Sequence, residues 1–171
     1  TEDTLLDLDC MRHSAAHIMA AAVCRLYENV LLDIGGPATE DGFYYDFALP
    51  NRLSPEDLPA IEKEMARLIA ENLPFERVEM SRDEARSLLE SRGQRYKLER
   101  LADIPGNETI SFYRCGGFMD LCRGPHVERS GDIKAFKLLS VAGSYYRGLE
   151  TNPMLQRVYG AAFASQADLD A

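Results

Sequence analysis

The run from Cys10 to Tyr27 contains neither glycine nor proline and is rich in alanine, methionine and leucine. A stretch of that composition has one ordinary solution, a helix, because nothing in it breaks the backbone hydrogen-bond ladder. Asp9 suits its N-cap. The helix sets His13 and His17 one turn apart on one face. Cys10 behind them, and Ala20, Ala21 and Cys24 ahead, keep that face small and apolar around two polar residues, as expected for the lining of a pocket. The third and last histidine, His126, stands four after Cys122 in Asp-Leu-Cys-Arg-Gly-Pro-His. Histidines confined to two short motifs point first to a catalytic or metal site.

The rest of the chain alternates short elements with turn signals. Val30 to Ile34 reads as a buried strand, Gly35-Gly36-Pro37 as a turn, and Gly42 to Leu49 as an aromatic strand. Ser54-Pro55-Glu56-Asp57 opens a helix with a cap, an N1 proline and first-turn acids, and Leu58, Ile61, Met65, Leu68 and Ile69 give its apolar face. Phe75 to Met80 is strand-like. Ser81 and Glu84 form a capping box for a helix that Gly93 closes. Further strands are expected over Tyr96–Leu101, Ile110–Cys115, Ile133–Val141 and Gly143–Arg147, and the segment after Pro153 fits helix or strand equally. No repeat, low-complexity tract or linker interrupts the 171 residues. The expected fold is a single α+β domain over residues 1–171, two-layered, with a largely antiparallel sheet and helices packed on one side.

Bulk properties narrow the function. No stretch approaches the roughly 20 apolar residues of a membrane span, and the acidic N-terminus lacks a signal-peptide profile. Four cysteines without a Cys-x-x-Cys pair suit a reducing, cytoplasmic setting. A net charge of −9 argues against gripping nucleic acid by phosphate contacts alone. The charge is uneven: residues 1–90 carry net −11, whereas residues 91–160, with the Cys122/His126 motif, carry net +4.

Two histidines at i and i+4 on a helix can hold a metal or a water. The zinc-protease pattern needs glutamate after the first, and here that position is Ser14. His13, His17, Cys122 and His126 together offer a tetrahedral zinc set, or a group that activates water for ester hydrolysis with imidazole as general base. Packing in a core is the plain alternative for His13 and His17.

These motifs, with Gly42-Phe43-Tyr44-Tyr45-Asp46-Phe47 between them and the segments Leu138–Gly148 and Met154–Phe163 after them, occur in one order. Over about residues 9–164 the chain resembles the editing domain of bacterial-type threonyl-tRNA synthetase. The related alanyl-tRNA synthetase editing domain typically has Cys-Gly-Gly-Thr-His where this chain has Cys122-Arg-Gly-Pro-His126, so the threonyl branch matches better. The resemblance implies hydrolysis of the ester between serine and the terminal adenosine of threonine tRNA. A threonine-accepting pocket admits serine because one methyl discriminates by only about 1–3 kcal/mol, so a second, smaller site must remove it.

The resemblance also implies roles. His13 would position or deprotonate water, with His17 and His126 completing the polar pocket. Cys122 would contact substrate and, with Ala16 or Ala20, form the wall that excludes threonine's methyl. Lys97 would stabilise charge on the carbonyl oxygen or orient a second water, and is expected to contribute little to packing. Asp120 would pair with the serine ammonium, Tyr44 or Tyr45 would stack on adenine, and Arg123 would meet terminal phosphates. Editing of this branch is expected to need no cofactor, zinc being possible. The expected partners are the acceptor end of threonine tRNA and, for an excised domain, the rest of the synthetase in cis. A free-standing trans-editing hydrolase, alanyl-type editing, a non-catalytic zinc or tRNA-binding module, and covalent chemistry at Cys122 remain alternatives.

Overall fold

A computed structural model describes residues 2–37 and 41–170. The opening helix, α1 (Glu2–Leu26), starts seven residues before the expected Asp9 cap. β1 (Leu31–Pro37) and β2 (Gly42–Ala48) pair antiparallel, β1 shifting register between Leu32 and Gly35. The Gly35-Gly36-Pro37 segment, expected to turn, stays in the strand. The reason is at Gly35, where a Cβ would lie 2.6 Å from the Tyr45 ring and 2.8 Å from the Tyr44 carbonyl, so only glycine lets β1 approach β2.

The expected helix start at Ser54 is a 3-10 turn (Pro55–Asp57) in which Asp57 accepts the Ser54 N–H at 2.8 Å, and it leads into α2 (Leu58–Ala70), which buries Leu58, Ile61, Met65 and Leu68. β3 (Phe75–Met80) follows, and α3 (Arg82–Ser91) opens on the Ser81/Glu84 box, Ser81 Oγ accepting the Glu84 N–H at 3.1 Å. Tyr96–Leu101 is not a strand: it lies inside α4 (Arg95–Asp103). Its apparent alternation is made of straight-chain Lys, Leu, Glu and Arg, which lose little rotamer freedom in a helix, and it lacks β-branched residues. β4 (Ile110–Cys115) and β5 (Phe118–Leu121) form a hairpin. The two strands expected over Ile133–Arg147 are one, β6 (Ala135–Tyr145), in which Gly143 is a paired residue opposite Gln156. β7 (Met154–Phe163) resolves the ambiguity after Pro153 in favour of strand, and α5 (Gln166–Asp170) ends the described chain.

The fold is α+β as expected, and its strands form two antiparallel sheets instead of one, ordered β1-β2-β7-β6 and β3-β4-β5. α1 packs against both the larger sheet and α2, with Ala15, Ala16, Ala20 and Ala22 buried in the same core as Ile18 and Met19, the sheet's Phe43, Phe47 and Val158 and, from α2, Ile61 and Met65. A second core places Ala85, Leu89 and Leu101 of α3 and α4 against Ile110 and Phe112 of the smaller sheet. No helix among the described residues is long and apolar enough to cross a membrane. The site lies where α1, α4 and the end of β5 converge.

Candidate active site at the α1–β5 junction

α1 carries His13 and His17, while the loop leaving β5 carries Cys122 and His126. That loop is shaped by Gly124 (φ +80°), where a Cβ would lie 2.4 Å from the Tyr113 hydroxyl. The His126 ring stacks between His13 (centroids 4.4 Å apart, planes 21°) and Phe75 (5.0 Å, 16°), with Tyr113 edge-on at 4.4 Å. Its plane is therefore fixed by packing before any hydrogen bond is counted. Cys122 Sγ sits 3.4 Å from His13 Nε2 and 3.3 Å from His126 Nε2, and accepts the Gly124 N–H at 3.3 Å.

The far nitrogens of both rings are also held. His13 Nδ1 lies 3.0 Å from the Pro125 carbonyl oxygen, which can only accept, so Nδ1 carries a proton and Nε2 of the neutral ring is a lone pair facing the thiol. His126 Nδ1 lies 3.0 Å from Ser14 Oγ, a fully buried hydroxyl that also accepts the Val127 N–H at 2.9 Å. Burial pushes His126 down to about 2, helped by the charges of His17 and His13. His17 is pushed down to about 3 by burial, then by His13 and Lys97. Burial and the nearby Asp120 push the Cys122 thiol up to about 11. At neutral pH the cluster is thus two neutral imidazoles and a thiol around His13.

His17 stands apart from the ligand cluster. Its ring packs edge-on against Phe118 (4.8 Å), His126 (5.0 Å) and Phe75 (5.4 Å), and its buried Nε2 has no hydrogen-bond partner among the described residues. The four-residue zinc set that the sequence offered as an alternative therefore reduces to three groups: among the described residues His13, Cys122 and His126 bring one ligand atom each to within 4.8 Å of one another. Neutral imidazoles and a cysteine that could ionise toward a cation are a chemically fitting donor set for zinc, with a fourth position left for water or substrate.

Lys97 and Asp120 face each other across the pocket floor, Nζ to Oδ1 2.8 Å, with side chains 4% and 5% exposed. The direction of this contact departs from that of a hydrogen bond, so Oδ1 is held by charge alone, while Oδ2 accepts from the Tyr45 hydroxyl at 2.6 Å. Burial and Asp120 hold the Tyr45 phenol well above its usual range, so it stays a donor. Lys97 is thus a buried ion-pair partner, not the lightly packed lining residue expected from sequence. One turn on, Arg100 clamps the buried Asp33 of β1 at 2.8 and 3.0 Å, which fixes α4 and hence Lys97 relative to the larger sheet.

A pocket of about 290 Å³ brings together His13, His17, Tyr45, Lys97, Asp120, Cys122 and Arg123 of the expected residues, with Ala16, Ile34 and Gly35 as apolar wall. His126 lies behind Cys122, and Ala20 is buried in the core. Tyr45, at 3% exposure, is floor, with its ring stacked on Phe47 at 5.0 Å. Tyr44 points to the opposite face of the sheet, under the Arg157 guanidinium at 4.0 Å. Neither tyrosine offers an open ring face in this pocket. Arg123 is exposed at the rim, 3.6 Å from Glu108, where a second cavity of about 370 Å³ shares Leu121 and Cys122 with the first and extends to Pro105 and Thr109.

Sequence reasoning missed Ser14, Asp33 and Arg100. Ser14 alone left a signal, a hydroxyl between two histidines on an otherwise apolar helix face. Cys115 is buried, and Cys10 and Cys24 are half-buried.

The family model for the threonyl and alanyl tRNA synthetase second additional domain matches residues 110–159, from β4 through most of β7. Threonine–tRNA ligase of Dehalococcoides mccartyi is 60% identical over 163 residues, 95% of this chain and 27% of that protein. The Thermotoga maritima ligase is 59% identical over 162 residues (93% and 25%), and that of Geobacillus kaustophilus 54% identical over 170 (99% and 26%). The chain spans about a quarter of the length of these curated relatives. Both arms of the cluster and the α+β frame that holds them lie within the aligned span, and by this likeness the chain belongs to the threonyl/alanyl-tRNA synthetase second-additional-domain family, on its threonyl branch.

Proposed function

We propose that this domain hydrolyses the ester of serine wrongly attached to threonine tRNA. The observation that carries the reading is the pairing, in one small pocket, of an imidazole lone pair at His13 Nε2 with a buried ammonium–carboxylate pair at Lys97 and Asp120. Such a pocket fits an aminoacyl ester, whose ammonium and carbonyl need opposite charges at close range. A water held by His13 would lose a proton to Nε2 as its oxygen bonds the ester carbon. Collapse of the tetrahedral intermediate then breaks the bond between the ester carbon and the ribose oxygen, and the proton passes to that leaving oxygen. Lys97 would stabilise the carbonyl oxygen as charge develops, while Asp120 meets the serine ammonium. The cavity beyond Arg123 gives the terminal nucleotides a path.

Cys122 serves this scheme as wall and hydrogen-bond partner. A thiol held near 11 is protonated at neutral pH, which disfavours covalent catalysis. The His13, Cys122 and His126 cluster supports a second reading, a zinc site of alanyl type, in which a bound ion would supply Lewis acidity and an acidified water. Similarity to a quarter of each threonine–tRNA ligase supports a domain acting in cis, the rest of the synthetase delivering the acceptor end that a surface of net −9 holds weakly.

The test is release of free serine from serine-charged threonine tRNA by wild type and by His13→Ala. The variant should lose about 10²–10⁴ in rate, and threonine-charged tRNA should survive both proteins. Equal cleavage of the two esters, or none at high protein concentration, would refute the proposal.

A further inference from the structure

Two stacked imidazoles of one residue type ordinarily compete for the same role. Here their far nitrogens have unlike partners, and the difference traces to one residue that sequence reasoning used only to reject a protease motif. Ser14 sits one residue after His13 on α1, fully buried. Its Oγ accepts the Val127 N–H, and its own proton has His126 Nδ1, at 3.0 Å, as acceptor. A hydroxyl that donates to Nδ1 leaves the His126 proton on Nε2, which faces the Cys122 sulfur at 3.3 Å. The Pro125 carbonyl does the opposite to His13, taking the proton at Nδ1 and leaving Nε2 bare.

We infer that Ser14 is a positioning residue that gives the stacked rings opposite tautomers, His126 a fixed donor at Nε2 and His13 a fixed acceptor. The hydrogen bonds then run in one direction. Val127 N–H donates to Ser14, Ser14 to His126, His126 to the Cys122 sulfur, the thiol to His13 Nε2, and His13 Nδ1–H to the Pro125 carbonyl. Gly124 N–H also donates to the sulfur, which leaves the thiol proton directed at His13. A thiol is a weak donor, so an entering water can displace it from Nε2 and find a lone pair already aimed. Stacking between His13 and Phe75 fixes the plane of the His126 ring, and the Ser14 hydroxyl at Nδ1 holds the ring orientation that turns Nε2 to the sulfur and selects it as the protonated edge.

The functional half of this inference rests on the proposed hydrolysis; the tautomers do not. Nitrogen-15 spectra of the wild-type domain should show His126 protonated on Nε2 and His13 on Nδ1. The same tautomer on both rings would overturn the assignment, whether or not the protein cleaves any ester. In deacylation assays Ser14→Ala should lower kcat by about ten- to a hundredfold with KM near wild type, the range seen when a ligand histidine loses the partner behind it. Its His126 signals should become an average of both tautomers. Ser14→Thr, which keeps the hydroxyl, should restore both readouts. Wild-type kcat in Ser14→Ala would refute the positioning role. If wild type releases no serine yet the rings show opposite tautomers, the hydrolysis reading fails and the Ser14 assignment stands.

Discussion

Asp120→Ala offers the sharpest test of how the pocket floor is built. The substitution removes the carboxylate that faces Lys97 Nζ at 2.8 Å and accepts the Tyr45 hydroxyl at 2.6 Å. What remains is an ammonium on a side chain 4% exposed, with the Leu121 carbonyl at 3.4 Å as a poor partner. Breaking a buried pair by deleting one member costs about 3–5 kcal/mol, most of it the uncompensated charge. For a protein of this size about 1 kcal/mol moves Tm by roughly 2–4 °C, so Asp120→Ala should melt about 6–20 °C below wild type. Lys97→Met leaves the carboxylate with its Tyr45 donor and should fall nearer the lower end. Joining the two as Lys97→Met with Asp120→Ala should cost less than the sum of the single changes, since neither stranded charge survives. Thermal and urea unfolding of the four proteins supplies the cycle. The reasoning fails if Asp120→Ala unfolds within about 0.5 kcal/mol of wild type, the range of an ordinary surface change, for the pair would then be solvated and the floor open.

The selectivity of the pocket should depend on volume at Cys122: Cys122→Ala should admit and cleave the threonine ester while slowing serine release, and Cys122→Ser should keep the discrimination. Full protection of threonine-charged tRNA in the alanine variant would move the wall elsewhere, to Ala16 or Ile34. Acid should destabilise the fold through the buried histidines, because His17 falls from 6.5 to about 3 on folding and His126 to about 2. Below pH 6.5 the unfolded chain takes up protons that the native rings refuse, so stability is lost as pH falls toward 3, by about 1.4 kcal/mol per pH unit for each ring. His17→Phe, seated in the same aromatic surroundings, should remove one ring's share of that slope; an unchanged slope in urea titrations between pH 6.5 and 4.5 would sink the argument.

The ion pair and the lowered histidines both depend on burial, which the sequence reveals unevenly. The helical period placed His13 and His17 on one face, and the short motif joining Cys122 to His126 supplied the other ligating groups, so the centre of the cluster was legible. The parity of β2 was not. Tyr44 and Tyr45 are adjacent aromatics, and it is Tyr45 that shares a face with the fully buried Phe43 and Phe47, while Tyr44 turns to the other side of the sheet. Tyr96–Leu101 misled for a different reason. Its buried positions, Tyr96, Lys97 and Leu101, include a lysine, which pattern reading scores as surface. A charged residue becomes interior only when its partner arrives from elsewhere in the chain, and Asp120 arrives from β5.

The same logic governs the chemistry. Three of the groups that set the state of this site, Ser14, the Pro125 carbonyl and Asp120, act on side chains from other elements, at sequence separations of 112 for both Ser14–His126 and His13–Pro125. Spacing within a motif can say that two imidazoles and a thiol meet. It cannot say which imidazole gives a proton and which receives one, because that is decided by what lies behind each ring. A backbone carbonyl behind His13 and a buried hydroxyl behind His126 turn identical side chains into an acceptor and a donor. The division of labour in this pocket is therefore a property of the fold's junction between α1 and the loop after β5, and a residue behind a ring should tune the rate that the ring itself sets.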